Sequence, residues 1–419
     1  MARTEGATPP PIDNRETSAA QVVRARAKVR NRSRQAGVYG SVMSLFSSAK
    51  DGSSAVSKTG AAALLTPGSV LSFTINPRPG EGIPAMFSRL ALALRDSDST
   101  LVKLLAFGSV SAHPAAEEAM RRVFSRIDWP VTWVEGAACN DDPIAGIQAF
   151  AFSAGQVDRI ILDGRVAGSV FQDGAFRYCL LGGLGPTAPS ASRAVQFRQT
   201  LERMEAALAQ AGFSLGDVAR TWFYLDELLT WYGAFNQART QAYSRVKFRS
   251  GSLPASTGIA AKNPAGSALV AAAWAVQPLD PGAQIAEVHS PLQCAATAYG
   301  SSFSRAMELS SFQGRRLLIS GTASVAPGGQ TLWPGNLRQQ IQRTMEVVEV
   351  ILASRDFEFS DLTRATAYFK DRAGLPEFHA WCASRDLRSL PVVSAQSGIC
   401  RDDLLFELEA DAWKPAPAA

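Results

Sequence analysis

Residues able to do acid–base, nucleophilic or metal chemistry are few in this sequence. Its three histidines, His113, His289 and His379, stand in no HxxxH or HExxH spacing. A His-based metal site or a Ser-His-Asp triad would have to be assembled from these three alone. The five cysteines (139, 179, 294, 382 and 400) are scattered, odd in number and free of CxxC spacing. That suits a reducing cytoplasm, with neither a disulfide framework nor a zinc ribbon. The expectation is therefore no metal and no cofactor. A carboxyl group becomes a general acid near neutral pH when burial or a neighbouring negative charge raises its pKa. Among the 37 acidic side chains, Glu407 is peculiar to one unit of a repeat. It lies in DLLFELEAD, where Leu405 and Glu407 share one face of a strand and Leu404, Phe406 and Leu408 share the other. Glu409, two residues on, reads as an ordinary exposed strand glutamate, since strand glutamates are mostly solvated.

The elements that must position such a group come from a repeat. Three times the chain runs through amphipathic helix, short strand, second helix, an apolar residue before proline, and closing strand. In the last unit Ile341, Met345, Val348 and Leu352 mark one helical face. The strand LTRATAYFK (362–370), a helix over 375–386, Leu390-Pro391 and LLFELEADAW follow. The middle unit has Phe197, Leu201, Met204 and Leu208 on its helix, then VARTWFYL (218–225), a helix over 228–245, Leu253-Pro254 and ALVAAAWAV. The first unit is shorter, with a helix through Met86, Leu90 and Leu94, the strand LVKLLAFGS, a helix through Met120, Val123 and Ile127, Trp129-Pro130 and GIQAFAFS. Asp217, Arg220 and Tyr224 stand 144 residues before Asp361, Arg364 and Tyr368. Cys139, Asp141, Asp142 and Pro130 stand 261 residues before Cys400, Asp402, Asp403 and Pro391. In that register the counterpart of Glu407 is Gly146 in the first unit and lies near Val270 in the second, so the carboxylate is confined to the third. The later units also carry leading strands, DRIILDGRVAGSVFQ and RRLLISGTASVAP, where the first has only VLSFTI. The pattern predicts an α+β fold of tandem units, each a mixed sheet with helices on one face. The units span 65–155, 156–285 and 286–419, after a tail over 1–64.

The net charge of +5 belongs to the tail. Residues 1–60 hold ten Lys or Arg against four Asp or Glu, and the remaining residues hold 32 against 33. The run RARAKVRNRSR (24–34) is too polar to fold alone and reads as a solvated arm. With no aromatic residues between its arginines it is not expected to bind nucleic acid. No apolar stretch reaches the ~20 residues of a membrane helix, and no secretory h-region follows the first charges. The expectation is a cytoplasmic protein.

The order of elements resembles the YjgF-like subunit of the Rid superfamily, whose trimers hold ligand pockets between subunits. Three such units in one chain imply a covalent pseudo-trimer, acting as a monomer or a homo-oligomer. Longer motifs resemble the chorismatase branch: ARTWFYL (219–225), YGAFNQARTQAY (232–243), LPASTGIAA (253–261), TAYGSSFSRA (297–306), SGTAS (320–324) and ICRDDLLFELE (399–409). The likeness covers about 155–413 well and 65–155 loosely.

That resemblance implies cleavage of the enol ether of chorismate to pyruvate, with Glu407 as the general acid that protonates the methylene carbon. Gly321 and Cys400 match the positions that separate family members by product. Gly with Cys resembles the members that make 3-hydroxybenzoate, and Ala at those positions resembles those that release a cyclohexadiene diol. Cys400 then serves as nucleophile or steric guide, or simply as a small buried side chain. A small dianionic metabolite needs donors. Arg239 matches the arginine of the helix motif, Arg305 is second, Thr257 and Gly258 offer a hydroxyl and an N–H, and Tyr232 can hydrogen-bond. Arg220 and Arg364 recur between units and read equally well as structural ion pairs. Departures from the family pattern fall at Phe223, Ala260 and Asn336, and the YGPR arginine has no counterpart. Each would remove a polar group or flexibility from a pocket wall. Rid-type imine deaminases instead hold a substrate carboxylate with an arginine two residues after the proline of each unit; here Thr132, Ser256 and Val393 stand there. A metabolite-binding protein without catalysis, or a lyase or hydrolase for another small carboxylic acid, can be built on the same scaffold.

Overall fold

The computed structural model describes residues 68–138, 142–153 and 155–416. The tail over 1–64, Cys139 and Asp141 lie outside the described residues. The first repeat contains β1 (Val70–Ile75), α1 (Ile83–Asp96), β2 (Ser99–Gly108), α2 (His113–Phe124), β3 (Val131–Val134), β4 (Ala137–Ala138) and β5 (Ile144–Ser153). The second contains β6 (Asp158–Leu162), β7 (Arg165–Gln172), β8 (Phe176–Leu184), α3 (Arg193–Gln210), β9 (Val218–Leu225), α4 (Leu228–Tyr243), β10 (Ala255–Ala260) and β11 (Leu269–Pro278). The third contains β12 (Gln284–Val288), β13 (Ala306–Ser311), β14 (Gly314–Ala323), α5 (Leu337–Ser354), β15 (Leu362–Phe369), α6 (Leu375–Ser384), β16 (Val392–Gln396) and β17 (Phe406–Pro415).

Among the described residues these strands form three mixed sheets, ordered β1-β5-β2-β3, β10-β9-β11-β8-β7-β6 and β12-β13-β14-β17-β15-β16-β4. The four strands of the first sheet recur in the others as β8-β11-β9-β10 and β14-β17-β15-β16. The last pair of each is parallel, because a helix carries the chain across between them. The second and third sheets add a hairpin, β6-β7 and β12-β13, which the first lacks. One sequence correspondence needs correcting here. RRLLISGTA forms a single strand, β14, and its counterpart in the second repeat is β8; DRIILDGRVAGSVFQ is the extra hairpin β6-β7. Both are apolar runs bounded by Gly and Ser, so pattern alone did not separate them.

Each pair of helices covers one face of its sheet. Phe197, Met204 and Leu208 of α3 pack on Phe223 and Leu225, while Met86, Leu90 and Met120 of α1 and α2 pack on Leu104 and Ile147. The opposite faces turn toward one another and share one core, which contains Phe107, Phe150, Trp222, Tyr224, Trp274, Leu318, Tyr368 and Val393. The molecule is thus an α+β pseudo-trimer within one chain.

The sheet registers agree with the internal sequence offsets. Phe107 pairs with Gly146, Tyr224 with Val270 and Tyr368 with Glu407. The three rings meet at the centre, Phe107 lying 6.2 Å from Tyr224 and 5.8 Å from Tyr368 between centroids. Lys103, Arg220 and Arg364 are equivalent in the same way, each beside a bulge in its strand pair. All three are buried.

Glu409 corrects its sequence reading. It is wholly buried and faces those cations rather than solvent. One carboxylate oxygen accepts from Arg220 (2.7 Å), Trp222 Nε1 (2.8 Å) and Thr257 Oγ1 (2.5 Å). The other accepts from both Arg364 Nη atoms (3.0 and 3.1 Å) and Thr366 (3.2 Å). Arg364 also reaches Asp411 (2.5 Å) and Gln148 of the first sheet (2.5 Å). These bonds hold the Glu409 carboxyl at about 2 despite burial. Burial, with Arg364 nearby, pushes the Lys103 ammonium well below its ordinary value. Removing one member of such a cluster strands the others. Arg364→Met is expected to destabilise the protein by about 3–5 kcal/mol, read as a lower urea midpoint; a loss under ~1 kcal/mol would show the centre to be dispensable.

Candidate active site

Where the second sheet meets the third, β10 runs alongside β14. Ser256 N donates to Ser320 Oγ (2.8 Å), and Gly321 N donates to Thr257 Oγ1 (3.0 Å). The register of β14 on β17 shifts between Ile319 and Thr322, and the bulge turns Gly321 toward Glu407. A Cβ on Gly321 would sit 2.0 Å from Glu407 Oε1, so a larger residue there would push the carboxyl aside.

This junction forms a cavity of about 230 Å3. One face of α4 supplies Tyr232, Phe235, Asn236 and Arg239, residues three and four apart in helical spacing. The segment ahead of β13 supplies Tyr299, Ser301, Phe303 and Arg305, and the turn before β17 supplies Cys400, Arg401 and Leu404. Glu407 completes the wall. The structure therefore brings together Glu407, Arg239, Arg305, Tyr232, Gly258, Gly321 and Cys400. Thr257 stands behind Gly321, its hydroxyl spent between Glu409 and the Gly321 N–H.

Charge is unevenly matched in the cavity. Arg239 is buried against Phe235 and Phe303, and bonds Asn236 (2.8 Å) and Ser256 (3.4 Å). Burial lowers its guanidinium from the ordinary value. Arg305 bonds the Cys294 carbonyl (3.0 Å) and lies 5.4 Å from the Tyr299 ring centre. Arg401 lies 5.3 Å from the same ring centre and donates to the Gly329 carbonyl (2.6 Å). Among the described residues none of these three forms an ion pair. Arg239 Nε and Arg305 Nη2 are buried without an acceptor. Such donors are costly to bury and suit an anionic ligand.

Glu407 is 4% exposed. Burial first, then the negative charge of Glu409, push its carboxyl up to about 8, against the pull of Arg220 and Arg305. Cys400 is pushed up to about 12 by burial and by Glu407, and hydrogen-bonds Tyr232. It is a neutral thiol near pH 7 and does not fit the nucleophile role. Tyr232 is also raised by burial.

The departures at Phe223, Ala260 and Asn336 do not strip the wall. Phe223 packs on Phe197 and Phe235 under α4, Ala260 N bonds the Gly398 carbonyl, and Asn336 caps α5 by accepting from Gln339 N. In the sheet register Thr132, Thr257 and Val393 are equivalent, so Thr257 replaces Ser256 at the position where the deaminases hold arginine. Sequence reasoning did not single out Asn236, Tyr299, Phe303 or Arg401. The available signal was their place beside Arg239, Arg305 and Cys400 in the same motifs.

The raised carboxyl has a stability signature. Unfolded, Glu407 loses its proton near 4.5, and folded near 8. The folded state holds the extra proton between, so stability falls as pH rises through that window. Glu407→Gln removes the loss. It should be the more stable protein at about pH 9, by a few kcal/mol at ~1.4 kcal/mol per unit, and lose that advantage below about pH 4.5. Urea midpoints at both pH values measure this; the same difference at each would refute the raised carboxyl.

Comparison with known proteins follows the same lines. The chain is 26% identical to a chorismatase of Streptomyces hygroscopicus over 215 residues, covering 46% of this chain. It spans 60% of the length of that curated relative. A crystal structure of chorismatase superposes with a TM-score of 0.57 at 20% identity, covering 82% of this chain and 98% of that one. The YjgF gene product of E. coli aligns with 30% of this chain and 96% of its own at 16% identity, TM-score 0.25. No family model matches the chain.

Proposed function

From the premise that the chain stands in the chorismatase branch of the YjgF-like superfamily, by sequence kinship and fold, we propose that it cleaves the enolpyruvyl ether of chorismate and releases pyruvate. One observation carries this reading. A buried carboxyl group, pushed up by burial and by Glu409, shares a small cavity with three arginines that form no ion pair among the described residues.

Chorismate brings two carboxylates, which Arg239, Arg305 and Arg401 are suited to bind. Glu407 gives its proton to the terminal methylene carbon of the enol ether. The double bond supplies the electron pair for the new C–H bond, and positive charge develops on the carbon between the ether oxygen and the carboxylate. Water adds to that carbon, and the hemiketal collapses to pyruvate as its bond to the ring oxygen breaks. The ring leaves as the cyclohexadiene diol, and one water is consumed. If the ring then aromatises to 3-hydroxybenzoate, the neighbouring hydroxyl and the hydrogen on the carbon that keeps the ether oxygen leave as water, so the products together have the composition of chorismate. Glu407, now ionised, recovers its proton from the product or from solvent. A neutral Cys400 thiol held by Tyr232 acts as a steric guide to the ring, and with Gly321 it favours the aromatic product.

Incubating the full-length protein with chorismate tests the reading. Pyruvate and 3-hydroxybenzoate are expected, and no pyruvate release would overturn it. Glu407→Gln should lower kcat by about 10²–10⁴, and an active variant would remove Glu407 from the acid role. Arg239→Gln should raise KM roughly tenfold or more while leaving the product unchanged; an unchanged KM would exclude Arg239 from carboxylate binding.

A further inference from the structure

Glu407 and Glu409 lie two residues apart on β17 and therefore project from the same face of the strand. Their Cα atoms are about 6.6 Å apart at the rise of an extended strand. Both side chains are shielded from solvent. Two buried carboxyl groups on one face of a strand do not both ionise readily. Their surroundings decide which one keeps the proton.

The division is unequal. Glu409 is met by six donors from β9, β10 and β15, including Arg220 and Arg364. It does not line the cavity. Glu407 lines the cavity against Gly321 and receives no comparable clamp. We propose that Glu409 is a positioning residue for the Glu407 acid: clamped as a carboxylate by arginines from two sheets, it is a fixed negative charge that keeps Glu407 protonated. This deepens the proposed function and rests on it.

The other groups facing Glu407 come from every element around it. They are Arg220 on β9, Arg305 ahead of β13, Tyr368 on β15 and Cys400 in the turn before β17. Tyr232, Arg239, Tyr299 and Arg401 share its cavity. Arg220 and Arg305 oppose the effect of Glu409 on Glu407, while burial adds to it. Arg220 is bound to Glu409 itself, so the two can be separated by substitution with opposite expected signs.

The test is an infrared titration of the full-length protein without substrate, from about pH 5 to pH 10, alongside the pH profile of kcat/KM for pyruvate release. The wild type should show one buried carboxylic acid titrating near 8, absent in Glu407→Gln. In Glu409→Gln that titration should fall by about one unit or more, and the basic limb of kcat/KM should fall with it. In Arg220→Gln both should rise. A folded Glu409→Gln protein with the titration unmoved overturns the proposal. Should Glu409→Gln fail to fold, Arg220→Gln decides alone, and an unmoved titration there is equally fatal. If the titration shifts as stated but no variant or wild type releases pyruvate, the tuning stands and the chorismate reading fails.

Discussion

The arrangement depends on one buried carboxylate. Glu409 sits where the inner faces of three sheets converge, and it binds the arginines that two equivalent positions, Arg220 and Arg364, bring there. Arg364 in turn ties in Gln148 from the first sheet. Cations projecting from repeated positions would repel one another in a shared apolar core. A counter-charge with full hydrogen bonding makes their burial tolerable. The six donors on Glu409 therefore bear both on assembly of the repeats and on the field at the neighbouring cavity.

Repetition builds three junctions, and the side chains make them unlike. At the first, Val270 stands opposite Tyr224, and Thr132 bonds Gly183 N. At the third, Gly146 packs so closely on Val393 that a Cβ would lie 2.7 Å from a methyl. Only between the second and third repeats do Glu407, a glycine that makes room for it and arginines without acidic partners coincide. A carboxyl at an equivalent position elsewhere would lack those neighbours. The chemistry follows from the local set, whereas the fold is common to all three.

Much of the fold was legible because repeats repeat their spacing. The offsets of 144 and 261 residues placed Arg220 with Arg364, and Gly146 with Glu407, and the sheet registers agree. The helical faces over Ile341–Leu352 and Phe197–Leu208 were legible for the same reason, since burial imposes a period of 3.6. The leading strands were less so. β8 and the hairpin β6-β7 are all short apolar runs, and nothing in a run states which neighbour it pairs with.

The sequence by itself determined a tandem α+β architecture and a carboxylate peculiar to the third repeat, because strand and helix periods and repeat offsets are properties of the chain alone. It also nominated the residues that come to line one cavity. It misread Glu409 as exposed and Phe223, Ala260 and Asn336 as wall residues, and it left Cys400 open between nucleophile, steric guide and small buried side chain. Only the tertiary structure decided these. Burial and the six donors around Glu409 depend on groups 43–189 residues from it in sequence that meet it only after the sheets close on one another.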